Sequence, residues 1–519
     1  AKCQDIRFRN SVLWKNTSST GGVALVMAEA SASLENCTLW DHEIAVAVNL
    51  GTLTVTNSVL DARGANGRIF RFGQSASAVD GFRGDYNLYS FRNNNSLLAE
   101  QVTQTGGSDY YNNLPAWSAV VSSETHSISL PALFADELAG DFHPRSTRGR
   151  FTSAGWVTDG ELSPLVDAGS PAWSPANEPA PNGGRINIGA HGNTPQASMT
   201  QTNPPWVRVA SYNECADTVT GDALLYWLYG GLDSNELVKL EYSTDFWNWN
   251  PIATNLSVGQ GLYEWDVSDM PLAVSMNWRV VVQNATNVFD ESDCAVAIKT
   301  KSYDYYVNDG GTNGDVYCTA PGAGWDPWVI RGTNRETPLN SLQTLLEHLP
   351  VSGGDRIYID TGVYPVSATN AIILDDRNMG SEAFPLEIIG STNWAAGGTW
   401  FQVDGTTNGM RIQNTRHIHL KNIRVSGARN GLSVESVDTL RIQDGEFFGN
   451  QANGIQVGGS SGVEVRNSLI WGNGEYGVQS RGAKGAQSLR NVTLWGNRLG
   501  AVENAQSTLM ISNSVLVAT

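Results

Sequence analysis

Cysteine is scarce, five in 519 residues, with no CxxC pair and no metal-type spacing. That excludes a disulfide-dense scaffold and a zinc ribbon. No run of about 18 apolar residues occurs, so no segment reads as a membrane-spanning helix. Basic residues are outnumbered, 33 against 51 acidic, for a formal net charge of −18. Such a balance argues against nucleic acid as a partner and leaves anionic polymers only a local basic stripe. The opening Ala1-Lys2-Cys3-Gln4-Asp5 carries neither an initiator Met nor a signal-peptide pattern. What is abundant is glycine, 54 residues, beside a hydrophobic fraction of 41%. This composition suits real cores made of many short strands and tight turns.

One motif recurs through the C-terminal third: Asn467-Ser-Leu-Ile-Trp471-Gly-Asn473, Asn491-Val-Thr-Leu-Trp495-Gly-Asn497 and Asn513-Ser-Val-Leu, with Asn422 and Asp444 in the same frame. The anchors 422, 444, 467, 491 and 513 step by 22 to 24 residues, and Gly409, Gly431, Gly454, Gly477 and Gly500 keep phase with them. Two or three short strands per turn of this length predict a β-solenoid, with equivalent residues stacked in columns and Asn forming a ladder from coil to coil. The motif also opens the chain, at Asn10-Ser-Val-Leu-Trp14, Asn36-Cys-Thr-Leu-Trp40 and Asn57-Ser-Val-Leu60. Trp14, Trp40, Trp471 and Trp495 share one column, read as aromatics stacked inside the solenoid rather than as a sugar-binding row.

Between the solenoids, residues 163–205 are rich in Pro, Gly, Asn and Ser and read as an irregular end and linker. Alternating segments such as Leu224–Trp227, Val238–Tyr242 and Trp278–Val282 then predict a β-sandwich. Thr337-Pro338 predicts a helix start, and Leu339, Leu342, Leu345, Leu346 and Leu349 form its apolar stripe, a lid on the second solenoid. The predicted architecture is all-β: residues 1–202 the C-terminal part of a parallel β-helix, 203–300 a sandwich, and 301–519 a capping segment with the first coils of a second β-helix.

At Tyr305-Tyr-Val-Asn-Asp309, Thr337–Leu342 and Gly354–Tyr364 the chain resembles the N-terminal start of right-handed parallel β-helix repeat proteins of bacterial surfaces and secretomes. At Ser163–Gly169 and Asn182–Ala190 it resembles their C-terminal finish. Leu240–Asp245 through Trp278-Arg279 to Asp290–Asp293 is similar to fibronectin-III-like or immunoglobulin-like modules. A finish, a sandwich and a start, in that order, predict one period of a tandem array. Further copies or flanking repeats are then the expected partners, stacked on the coils at residues 1–10 and 513–519.

The candidate sites follow from the columns. Polysaccharide lyase chemistry needs carboxylates clustered on Ca²⁺ beside an Arg or Lys base. The readable column His419, Arg441, Glu464, Ser488, Met510 lacks that cluster, so no cleavage of uronates is expected. Lys421, Arg466 and Arg490 form a basic line, a contact for anionic glycan or protein or else a solvated face balanced by Glu464. His417 and His419 share a strand face without a third ligand. Asp309, Asn313 and Asp315, hard oxygen donors in a Gly-rich loop, are candidates for Ca²⁺ or for plain Asx turns. Trp247 and Trp249, in a turn of the sandwich, are candidate sugar or protein contacts. Cys215 and Cys294, near the first and last strands of the sandwich, are expected to form a disulfide, and Cys37 to be a small packing residue. The functional expectation is a structural or adhesive module of a large extracellular or cell-surface bacterial protein, polymerising into a filament or sheath. The rivals are a carbohydrate-active β-helix enzyme and a non-catalytic glycan-binding module.

Overall fold

A computed structural model describes residues 5–16, 22–64, 67–74, 79–91, 96–102, 108–213, 217–483 and 485–517. The chain forms two compact units, Ala1–Val102 with Tyr111–Thr300, and Thr103–Tyr110 with Lys301–Thr519. It is an all-β protein in which right-handed parallel β-helix flanks a β-sandwich.

In the first unit the strands stack in parallel sheets. Ile6–Arg9, Ala30–Glu35, Gly51–Thr56 and Phe82–Asp85 form one, and Val12–Trp14, Thr38–His42, Val59–Ala62 and Leu88–Ser90 another. Strand alternation turns Leu39, Leu60 and Tyr89 inward, into a core shared with Leu34, Val46, Leu53 and Phe70. A helix that sequence reasoning missed, Leu114–Val121, is capped by Asn113, whose side chain accepts from the Ala116 amide. It inserts Trp117 into this core, stacked on Phe70 and Phe72 at ring distances of 5.9 and 5.4 Å.

The other residue of each alternating pair points outward, which corrects the placement of the tryptophans. Trp14 pairs in register with Trp40 on the outer face of the second sheet. That face is nonetheless covered. Phe134 and Phe142, from the antiparallel pair Phe134–Asp136 and Asp141–Pro144, meet Trp40 at 5.0 and 6.2 Å. Ile128, Leu165 and Ile188 complete a second core. The Asn anchors hold the covering segment: Asn10 Nδ2 donates to the Ala190 and Gly192 carbonyls, Asn36 Nδ2 to the Asn187 carbonyl, and Asn57 Oδ1 accepts the Ser170 amide.

The sandwich has a three-stranded antiparallel sheet, Trp206–Val209, Asp222–Gly230 and Leu262–Asp266. Its second sheet runs through Thr218–Val219, Val296–Ile298, Ala273–Val282, Leu237–Ser243 and Asn250–Ser257. Trp227 and Trp278 are fully buried between them. Thr218–Val219 pairs with Val296–Ile298, and Asn213 bonds Asp293, so the two ends of the domain are adjacent. Cys294 is disulfide-bonded; Cys215 lies outside the described residues. Cys37 is buried as a free thiol, its amide donating to the Ser58 hydroxyl of the next coil.

The second unit carries three parallel sheets of eight, seven and six strands. Its helix is shorter than predicted, Leu342–His348, and its cap is Ser341, whose hydroxyl accepts the Thr344 amide. Thr337 is instead held by Asn334 Oδ1, and Leu339 bridges Val307 and Ala323, so the chain stays extended past Pro338. The Asn anchors Asn422, Asp444, Asn467, Asn491 and Asn513 all adopt positive φ, between 49 and 55°. Asn and Asp tolerate this left-handed conformation better than other side chains do. The tight buried ladder is a different column, the Asn two residues after each aromatic. Asn450 Nδ2 donates to Asn473 Oδ1, and Asn473 Nδ2 to Asn497 Oδ1, both at 2.8 Å.

Candidate functional site

The eight-stranded sheet of the second unit brings two outward columns together. The first runs Asp304, Arg356, Glu387, His419, Arg441, Glu464, Ser488 and Met510. The second includes Tyr306, Tyr358, Lys421, Gln443, Arg466 and Arg490. Between them lies a groove of about 390 Å³ lined by Glu387, His419, Lys421, Arg441, Glu464 and Arg466. Lys421 and Arg466 thus belong to one surface, as their spacing predicts, with Arg490 the next step along it.

Charges in the groove are unevenly matched. Glu464 is approached by three guanidinium groups: Arg466 at 2.6 Å, Arg490 at 3.6 Å and Arg441 at 3.7 Å. The three arginines are each about half exposed while Glu464 is 16% exposed. One carboxylate has about four lone-pair sites, whereas three guanidinium groups offer about fifteen N–H donors. Most of those donors therefore face solvent. Glu387 binds Lys421 at 2.6 Å and His419 at 3.7 Å. Burial raises the Glu387 carboxyl, but Lys421 and His419 together hold it below the usual glutamate value. Burial and then Arg441 depress His419, which favours the neutral ring near pH 7. Across the two columns Arg356, Lys421, Arg441, Arg466 and Arg490 stand against Asp304, Glu387 and Glu464. A cationic surplus on so acidic a chain is a local feature of this face.

Sequence reasoning missed Glu387, Arg356 and Asp304. The coils before residue 416 do not keep the 22–24-residue step: Glu387 pairs with His419, 32 positions on. The available signal was the alternation in Leu386-Glu-Ile-Ile-Gly390, which matches the inward Leu386 and Ile388.

The other candidates are organised differently. Asp309 Oδ1 accepts the Gly311 amide, and Asp315 Oδ2 accepts from Asn308 Nδ2, which also bonds the Gly311 and Ala320 carbonyls. Asn313 is exposed. Of the two readings of the Asp309, Asn313 and Asp315 loop, Ca²⁺ ligands or plain turns, these bonds are those of turns, and Asp315 Oδ1 is buried without a hydrogen-bond partner. Asp360, which the sequence did not single out, organises this region by accepting the amides of Val316, Tyr317 and Cys318. Among the described residues no group of three His, Cys, Asp or Glu could hold a metal ion. His417 has φ 51°, and burial lowers its ring's pKa, with Asp438 and Glu382 opposing Arg416 and Arg441. In the sandwich, Trp247 is 78% exposed above an Asx turn closed by Asp245, whereas Arg279 lies 4.0 Å over the Trp249 ring and occupies its face.

A cavity of about 190 Å³ in the first unit borders Glu124 and Tyr212. Burial lifts Glu124 to about 7, and its oxygens accept from Tyr89, Asn87 and Ser127. Those bonds tie the turn after the helix to the solenoid.

Residues 370–518, which include the groove, match the family model described as periplasmic copper-binding protein (NosD). Two solved structures are similar to the chain. Pectate lyase Pel9A is 17% identical over 41% of this chain and 54% of its own, with a TM-score of 0.33. The alginate lyase from Paenibacillus sp. str. FPU-7 is 16% identical over 33% of this chain and 62% of its own, with a TM-score of 0.24. The chain therefore spans less than two thirds of either enzyme. No curated protein sequence matches it.

Proposed function

We propose that this chain is a non-catalytic module of an extracytoplasmic bacterial protein, with a structural or adhesive role, whose second β-helix binds an anionic polysaccharide along the Lys421–Arg441–Arg466–Arg490 face. The observation that carries the reading is the cluster of three half-exposed guanidinium groups around the single carboxylate of Glu464. Guanidinium forks match carboxylates and sulfates in pairs of N–H bonds, and the coil repeat of about 4.8 Å offers one such group per coil to an extended chain. The description of the matched family as periplasmic agrees with this placement. Its copper binding is not carried over, because among the described residues no three His, Cys, Asp or Glu side chains gather into a metal site. The sandwich, similar to a fibronectin-III-like module, fits a spacer between β-helices in a larger array.

Titration of polygalacturonate and alginate oligosaccharides against the whole chain tests the reading, with neutral cello-oligosaccharides as the comparison. Binding of the anionic oligomers alone is expected, weakening with salt and at least tenfold in Arg466→Gln/Arg490→Gln. Equal affinity for neutral glycans would overturn the electrostatic reading. Accumulation of unsaturated product above a denatured control would overturn the non-catalytic one.

A further inference from the structure

The two β-helices carry the same motif on the same outward face, and only one of those faces is covered. In the first unit Trp40 is 4% exposed, and Asn36 and Asn57 are buried. In the second unit the face is continued by Leu469 and Trp471, paired in register with Thr493 and Trp495. Trp495 is 54% and Leu469 37% exposed, and Asn467, Asn491 and Asn513 lie open.

The geometry of the exposed aromatics restricts what can sit there. Phe448 and Trp471 stack at 5.1 Å with planes 5° apart, and Trp495 follows Trp471 at 6.4 Å. Trp400 lies on the other side of Phe448 at 5.9 Å. The rings of Phe448 and Trp471 have their faces taken by neighbours in the row and present edges to solvent. A sugar ring stacks on an aromatic face, so Phe448 and Trp471 are a poor saccharide platform. Edges suit a crossing aromatic side chain. The first unit shows that arrangement: Phe134 meets Trp40 at 82°, and Phe142 meets Trp14 at 80°. The polar complement is also repeated, because the first unit's Asn anchors reach carbonyl and amide groups of the covering segment at 2.7–3.1 Å.

We infer that the Leu469–Trp471–Thr493–Trp495 face is a docking surface for a polypeptide segment of the kind formed by residues 128–192. Its occupant carries two aromatic side chains on a short antiparallel pair and, beside them, an extended run of backbone that pairs with Asn467 and Asn491. This surface lies on a different sheet from the cationic groove, and the inference does not depend on the glycan reading.

The segment of residues 125–202, produced as a separate polypeptide, is the probe. It is titrated calorimetrically into the whole chain and followed by hydrogen exchange. Saturable one-to-one binding is expected, with new protection in residues 467–497 and at least a tenfold loss of affinity in Leu469→Glu. Thr493→Glu, half-buried and outward, supplies a second variant should Leu469→Glu fail to fold. Arg466→Gln is expected to leave this binding unchanged. Absence of saturable binding would overturn the inference. So would binding that survives both face variants, which would mean exchange with the first unit's own segment, or displacement of the probe by neutral oligosaccharides.

Discussion

The first β-helix closes its Trp-bearing face with the segment of residues 128–192, whereas among the described residues of the second that face is open. Both start from the same local instruction, an Asn in the left-handed region followed by an alternating triplet ending in Trp. The coil therefore determines which side chains point out, and a later segment determines whether pointing out means exposure. Outward Trp40 works as a core residue and outward Trp495 as a surface residue, although each occupies the same place in its repeat.

The largest test of this contrast is truncation of the two tryptophans. Trp40→Ala is expected to destabilise the first unit by about 3–5 kcal/mol, the range for a buried aromatic replaced by Ala. Trp495→Ala is expected to change the second unit by under about 1 kcal/mol, the value of one aromatic pair. Global hydrogen exchange of peptides from each unit separates the two, and similar losses at both positions would erase the distinction.

A second test compares Asn columns within the second unit. Asn473→Ala removes the acceptor of both the Asn450 amide and its side chain and the donor to Asn497. Unsatisfied buried groups make that cost about 1–3 kcal/mol. At the exposed anchor, Asn467→Ala should cost about 1 kcal/mol through left-handed strain, and Asn467→Gly much less. Denaturant midpoints of the three variants rank the two columns.

The units should also respond oppositely to pH. Burial lifts Glu124, Asp167 and Glu178 to about 7 and Asp290 to about 6 in the first unit. Carboxyls raised in the folded state contribute stability that is complete below their unfolded values near 4 and is lost as pH rises through 7. His191, lowered to about 4 by burial and then by the stacked His143, acts in the other direction but is outnumbered. In the second unit burial lowers His417 and His419, so their contribution grows as pH rises toward 6.5, while Asp315, raised by burial, acts the other way but is outnumbered. Raising the pH from 5 to 7 is therefore expected to lower the melting temperature of the first unit by several degrees while the second holds or gains. Calorimetry across that window, with exchange to assign the transitions, checks the sign.

The smallest expected effect is on the cationic face. Arg466→Gln/Arg490→Gln should alter stability by under about 0.5 kcal/mol, since exposed ion pairs contribute little. A larger loss would make the arginines part of the scaffold rather than of a binding surface.

The sequence alone determined the solenoid, its coil length, the Asn and Trp columns and the basic line, because identical coils stacked in register turn spacing directly into neighbourhood. The order of β-helix, sandwich and β-helix was legible for the same reason, in the loss of the coil period between the two solenoids. Tertiary structure decided what the repeat cannot encode. Glu387 reached the groove through a coil of irregular length, so no fixed step pointed to it. Asp309 Oδ1 and Asp315 Oδ2 took bonds from the Gly311 amide and Asn308, partners fixed by the loop's own turns rather than by any spacing of the acidic residues. Trp40 became core because a segment about 95 residues further along the chain folded back over it, and contacts between such distant residues leave no period in the sequence.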